Sequence, residues 1–331
     1  MFTVSDISII IQGSYYPMVT EKVITSVREH LPQAKVIVST CDKNFPEQME
    51  GCDEFIISPD PGGYTYADRP GEKENNINRQ IVNTLTGLKY VKTKYTLKLR
   101  SDFLLTGNSF LNFFDKFPLA EPNYQVFGHK ILACCYFARN PNSDMPFPFH
   151  PSDLAFFGQT EDLLKLFDIP LMTKNQAYWN LKDRHQYQYI PEQYLFINCL
   201  RQKGFQVDCN FYNDCRSEGI EQTERFFASN FIFLTFEQFN LQPTKQTFNM
   251  KVHPNAFKSC YTHIEWQAIY KKYIDENYDV PLIDEERFKI EKYYKNYKKY
   301  RFLSNLCALP FRNKAKRRQI RNAVLEYFLN K

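Results

Sequence analysis

The first clear pattern is an apolar run, Ile7-Ser8-Ile9-Ile10-Ile11, that stops at Gln12-Gly13. Such a run reads as a strand buried on both faces. Thr20 to Leu31 then carries Val23, Ile24, Val27 and Leu31 at helical intervals, and Pro32 ends it. Lys35–Thr40 and Glu54–Ser58 are short β-branched strands. Strand, helix, strand at this spacing predicts a parallel βαβ unit. A Pro- and Gly-rich turn at Pro59-Asp60-Pro61-Gly62-Gly63 follows, with a polar segment through Glu74 expected as a surface loop. Ile77, Ile81, Leu85 and Leu88 line one side of the next helix, with Asn75-Asn76 placed to cap it, and Tyr95–Arg100 reads as another strand. The alternation is that of a doubly wound, Rossmann-type nucleotide-binding sheet.

From about Gln125 the pattern loosens. Ile131–Phe137 and Leu154–Phe157 look like strands, and Glu161–Phe167 and Glu192–Lys203 like helices. This predicts a mixed second half that completes the sheet and builds an acceptor side. After about Glu265 the chain is helical, aromatic and basic, with Ile290, Tyr293, Tyr297 and Tyr300 at spacings of three and four. The expected fold is α/β, with residues 1–262 as one domain (1–120 its nucleotide-binding half, 121–262 its acceptor half). Residues 263–331 would form an α-helical C-terminal extension.

Composition refines this picture in three places. The 331 residues are 43% hydrophobic and 24% charged, enough for a packed core. Nine cysteines show no Cys-x-x-Cys pair, so reduced, mostly buried thiols are expected rather than disulfides or a zinc site. The net charge of +5 conceals an asymmetry: residues 286–331 carry 14 Lys/Arg against 3 Glu, about +11, leaving the rest near −6. Arg312, Lys314, Lys316, Arg317, Arg318 and Arg321 accompany Ile320, Val324, Tyr327 and Phe328. A basic, amphipathic helix of this kind suits an anionic membrane surface. A helix packed on the catalytic domain is the competing reading, and the acidic remainder counts against nucleic acid. No secretory signal pattern opens the chain and no apolar run approaches membrane-spanning length. The expectation is a cytoplasmic protein, peripheral on the inner face of the cytoplasmic membrane.

Candidate chemistry falls at strand ends, where open α/β sheets bind ligands. Gln12 and Gly13 end the first strand; the glycine lets backbone approach a base or phosphate, and Gln12 can pair with a base or ribose edge. Asp60 follows the third strand, where an acid could hold a ribose hydroxyl. Asn75, Asn78 and Arg79 sit in the first turns of a helix whose N-terminus favours anions. Arg100-Ser101-Asp102 directly follows a strand: Asp102 offers hard oxygens to Mg²⁺ or Mn²⁺, and Arg100 a cation for phosphate. The alternative is a plain ion pair between the two. His150, Ser152 and Asp153 combine an imidazole and a carboxylate beside an apolar run, suiting an acceptor-binding or metal-adjacent place. Glu192 opens a helix after Pro191, where a carboxylate could act as general base, with Asp153 as second candidate. No G-x-G-x-x-G, P-loop, Gly-x-Ser-x-Gly or His-Glu-x-x-His pattern is present near these strands, which argues against dehydrogenase, P-loop and hydrolase chemistry.

These segments, in order, resemble a known family. Ile10-Ile11-Gln12-Gly13, Asp60-Pro61-Gly62, Asn75 through Gln80, Lys98 through Asp102, His150 through Asp153 and Pro191-Glu192-Gln193 are similar to the WavE lipopolysaccharide-synthesis family. Ser229-Asn230-Phe231 looks like that family's Asn-Asn-Phe element, with Ser in the first place. The resemblance spans about residues 5–235 and leaves the basic C-terminal region outside. It implies a GT-A-like glycosyltransferase taking a nucleotide-sugar donor and an oligosaccharide or lipid-linked glycan acceptor. The product would be lipopolysaccharide core, O-antigen or capsule. Two other readings are a sugar-phosphate or nucleotidyl transferase and a non-catalytic scaffold of a glycan assembly complex.

Overall fold

The computed structural model describes residues 3–46, 48–65, 74–177 and 188–329. Most of the loop expected before Glu74, residues 66–73, lies outside them. The strands are β1 (Ile7–Gln12), β2 (Lys35–Thr40), β3 (Glu54–Ile57), β4 (Tyr95–Arg100), β5 (Phe103–Leu105), β6 (Ile131–Cys134), β7 (Ala155–Gln159), β8 (Phe231–Leu234) and β9 (Leu241–Pro243). The helices are α1 (Val19–His30), α2 (Ile77–Tyr90), α3 (Thr160–Phe167), α4 (Lys174–Ala177), α5 (Pro191–Gln202) and α6 (Ser217–Asn230). They continue with α7 (Phe236–Phe239), α8 (Pro254–Lys258), α9 (His263–Tyr273), α10 (Glu285–Ala308) and α11 (Lys314–Leu329).

Among the described residues, seven strands make one sheet in the order β3-β2-β1-β4-β7-β6-β8, and β5 pairs with β9 apart from it. β1 pairs in parallel with both β2 and β4, and β2 with β3. β7 alone runs against its neighbours β4 and β6, while β6 and β8 are parallel. The chain therefore winds outward from β1 to β3, then crosses back to place β4 on the other flank of β1. That reversal is a topological switch point, with the carboxyl ends of β1 and β4 side by side: Gln12 is in register with Arg100. β1 is buried along its whole length, as its unbroken apolar run requires. α2 lies close on β1 and β2 because Gly87 has no side chain; a Cβ there would meet Ile10 Cγ2 at 2.9 Å and Ser39 Cβ at 3.2 Å.

The observed elements stay within a residue or two of those expected through β4, and α3 and α5 do the same. The strand expected over 131–137 stops at Cys134, and Phe137 has a left-handed backbone, φ 67°.

Two compact units form, residues 1–244 with 260–280, and residues 245–259 with 281–331. The break expected at 262–263 thus falls elsewhere. α9 belongs to the first unit because Trp266 is fully buried there, its indole N–H donating to the Phe227 carbonyl at 3.4 Å. In the second unit α10 and α11 are joined by a short connection, and Tyr300 stacks on Phe328 at 4.9 Å. Lys258 of α8 places its ammonium over the Tyr294 ring. Among the described residues no helix is long and apolar enough to cross a membrane.

Candidate functional site

A cavity of about 690 Å³ opens at the carboxyl ends of β1, β2 and β4. Its walls include Gln12, Gly13, Asp60, Arg79, Arg100, Ser101, Asp102, Asp153 and Glu192. Residues separated by up to 180 positions in the sequence are thereby gathered into one place. Asn75, Asn78, His150 and Ser152 do not line it, and their side chains have structural partners. Asn75 Oδ1 accepts from the Ile77 N–H at the start of α2. Asn78 brackets the Met172 backbone, donating to its carbonyl at 2.9 Å and accepting from its N–H at 2.8 Å. Ser152 donates to the Tyr136 carbonyl.

The junction of β1 and β4 is sterically specific. Gly13 has φ +135°, and a Cβ there would fall 2.6 Å from Ser101 Oγ. Ser101 in turn donates to the Ser14 carbonyl at 2.6 Å, and its N–H to the Gln12 carbonyl at 2.9 Å. Arg100 lays one guanidinium edge against Asp102, with Nε to Oδ1 and Nη2 to Oδ2 both 2.9 Å. The Asp102 side chain is only 2% exposed, and this bidentate contact gives both of its oxygens a charged partner.

That pairing bears on the expected metal. Both Asp102 oxygens accept from Arg100, and among the described residues no three His, Cys, Asp or Glu side chains gather at one point. Among the described residues there is thus no all-protein cage for Mg²⁺ or Mn²⁺; an ion at Asp102 would take its remaining ligands from donor phosphates and water. The ion pair weighed as the alternative is the arrangement present.

At the cavity mouth, Arg79 is held in the same manner. Its Nε and Nη2 meet Asp60 at 2.8 and 3.0 Å, while Nη1 donates to Glu74 and Asn76. Asp60 also accepts from the Gly62 N–H, closing its turn. The Arg79 hydrogen bond holds the Asp60 carboxyl below the usual range.

The other wall carries two carboxylates with opposite tendencies. Burial, then the nearby Glu192 charge, pushes the Asp153 pKa up, against the pull of Lys98, Arg100 and His150. Burial also opposes ionisation of Glu192, but the charge and hydrogen bond of His150, the helix-start N–H and Arg139 outweigh it and hold Glu192 low. His150 Nε2 lies 3.3 Å from Glu192 and is itself nearly buried. The segment carrying His150 and Asp153 is strained: Phe149 and Ser152 have φ of 56° and 72°. It is tied down by a bridge between Ala138 and Pro151 and by the Arg139 N–H on the His150 carbonyl. Gln193 clamps the start of α5, donating to the Pro148 and Tyr212 carbonyls, which leaves Glu192 facing the cavity.

Lys98, part of the β4 motif but with no role evident from sequence, sits beneath this wall with no exposed surface. Its ammonium donates to the Asp153 carbonyl, and burial pulls its pKa down to about 8. A lysine among the inward positions of an apolar strand was the available signal. Asn230, part of the Ser229-Asn230-Phe231 element, acts only locally, its amide holding the backbone of Tyr124, Val126 and Phe127.

The family model for WavE lipopolysaccharide synthesis matches residues 7–303. The chain belongs to the WavE lipopolysaccharide synthesis family. The match runs well past residue 235 and takes in most of α10, so the basic C-terminal region falls inside it up to residue 303, while α11 lies beyond. No curated protein matches the chain in sequence.

The ion pair makes a direct prediction. Arg100→Met, which strands a buried carboxylate, costs about 3–5 kcal/mol of stability in urea denaturation. Adding Asp102→Asn to it recovers most of that loss. An Arg100→Met protein as stable as the parent would contradict the pairing.

Proposed function

We propose that the protein is a GT-A-like glycosyltransferase that moves a sugar from a nucleotide-sugar donor to a growing surface glycan: lipopolysaccharide core, O-antigen or capsule. The observation that carries this is the polar cavity at the β1/β4 switch point, with a cation at one strand end and a pair of carboxylates of split acidity opposite. Ligands of open α/β sheets lie at that point. Membership of a lipopolysaccharide synthesis family supports a sugar substrate.

In this reading the acceptor hydroxyl attacks the donor's anomeric carbon. The bond from that carbon to the phosphate oxygen breaks, and its electron pair leaves with the nucleoside diphosphate. Arg100, oriented by Asp102, meets the charge that grows on the leaving phosphate. The acceptor proton goes to a carboxylate. Sequence favoured Glu192 as that base and Asp153 as second; on the direction of their acidities this reading takes Asp153 first. A base works best when its pKa lies toward the operating pH. Asp153 is raised, whereas Glu192 is held low by His150 and serves as a fixed anion that raises its neighbour. Direct attack of this kind is a single displacement, so the product's anomeric configuration is inverted.

The helical unit supplies a second part of the proposal, attachment to an anionic membrane. Phe302, Leu306, Leu309 and Tyr327 are exposed beside its basic residues. Binding to vesicles containing anionic lipid is expected, with little to zwitterionic ones. Replacing Arg317, Arg318 and Arg321 by Ala should weaken it at least 100-fold, at about 1 kcal/mol per charge. Equal sedimentation with both kinds of vesicle would refute this part.

Asp153→Asn should lower kcat by about 10²–10⁴-fold while nucleoside diphosphate affinity holds. Lys98→Met removes a cation that favours the Asp153 carboxylate, so the Asp153 pKa rises. The acid limb of kcat/KM then moves toward neutral pH. Full turnover by Asp153→Asn, or a limb that stays put in Lys98→Met, would reject Asp153 as the base.

A further inference from the structure

Besides its charged groups, at the end of β4 and around Asp42, Lys43 and the Asp60–Arg79 pair, the cavity has two neutral polar side chains of α2 in its wall. Gln80 and Asn83 are three apart on α2 and so share one face of the helix. Both line the cavity, and both are more than nine-tenths buried. Gln80 Nε2 and Asn83 Oδ1 have no hydrogen-bond partner among the described residues. A buried amide donor and a buried amide acceptor left unmet are costly to the fold, about 1–3 kcal/mol each. Neighbouring groups fix their position without satisfying them. Asn83 Nδ2 reaches Cys41 Sγ at 3.7 Å, and the Asn83 backbone carbonyl accepts from Ser39 Oγ at 2.7 Å. Ile77 and Cys41 supply apolar wall beside the pair.

We infer that Gln80 and Asn83 form the nucleobase-reading site of this cavity, pairing with the adjacent donor and acceptor on a base's hydrogen-bonding edge. The inference rests on the donor reading above and adds its recognition element. Each nucleobase presents a donor next to an acceptor along that edge, and an amide pair is their neutral complement. Asn83 sits over the end of β2, and β2 and β4 lie on opposite flanks of β1, so a base held at the amides leaves the phosphates of a nucleoside diphosphate free to extend toward Arg100. The sequence displayed Gln80 only as one more polar residue in a polar helix start, and Asn83 not at all.

Gln80→Met and Asn83→Leu keep side-chain shape and remove the polar atoms. Titration calorimetry of the full chain with UDP, GDP, CDP and ADP, and with inorganic pyrophosphate, gives the test. The parent should bind at least one nucleotide more tightly than pyrophosphate. Each substitution should weaken that nucleotide on the order of tenfold, leave pyrophosphate unchanged, and leave Tm equal or higher. Gln80→Glu, which keeps the shape but turns the donor into an acceptor, should lose nucleotide affinity as well, so the question stays answerable if an apolar variant misfolds. Nucleotide affinity unchanged in all three variants would overturn the inference while the donor reading stands. A parent that binds no nucleotide more tightly than pyrophosphate would overturn the inference and the donor reading together.

Discussion

A carboxylate at 2% exposure needs a partner for each oxygen, and the bidentate contact between Arg100 and Asp102 provides both. The pair fixes the carboxyl end of β4. Its neighbour Ser101 is tied to the turn after β1, which only a glycine at position 13 allows to come so close. Strand order brings those two ends together, and the glycine and the hydroxyl lock them. At the end of β4 the cavity thus presents a guanidinium held against its own carboxylate.

The cavity wall is built of unlike parts. Near β4 lie Arg100, Asp102, Asp153 and Glu192, with Lys98 beneath; near β2 lie the amides of Gln80 and Asn83 beside Asp42 and Lys43. Between Asp153 and Glu192 the low-dielectric interior makes two similar groups dissimilar. His150 settles which of the two keeps its charge most firmly. That histidine acts from behind the wall, which explains why it sits beside the site residues in sequence yet does not line the cavity.

Elements with a strong period were legible: the buried run of β1, the 3.6-residue repeat of α2 and the short strand before Arg100-Ser101-Asp102 all form where the pattern puts them. The reversal of β7 was not legible, since a short buried strand has the same apolar sequence in either direction. Strand-end residues such as Gly13, Arg100 and Asp153 could be picked out because parallel order places strand ends on one edge. Partnerships could not. Whether Arg79 meets Asp60 or a phosphate, and whether Asn78 meets Met172 or a ligand, depends on loops whose course no periodicity encodes. Buried polar residues inside elements, Lys98, Gln80 and Asn83, were passed over because a polar residue in a helix or strand reads by default as solvated. The α9 boundary was misplaced for a related reason: basic aromatic helices on both sides of residue 280 look alike, and only Trp266 in the core separates them.

The central claim is that the cavity between the ends of β1, β2 and β4 holds the donor nucleotide. A crystal structure of the protein with its tightest-binding nucleoside diphosphate tests it most directly. The account predicts the diphosphate within hydrogen-bonding distance of Arg100 and the base against α2. A nucleotide seated anywhere outside this cavity would contradict it.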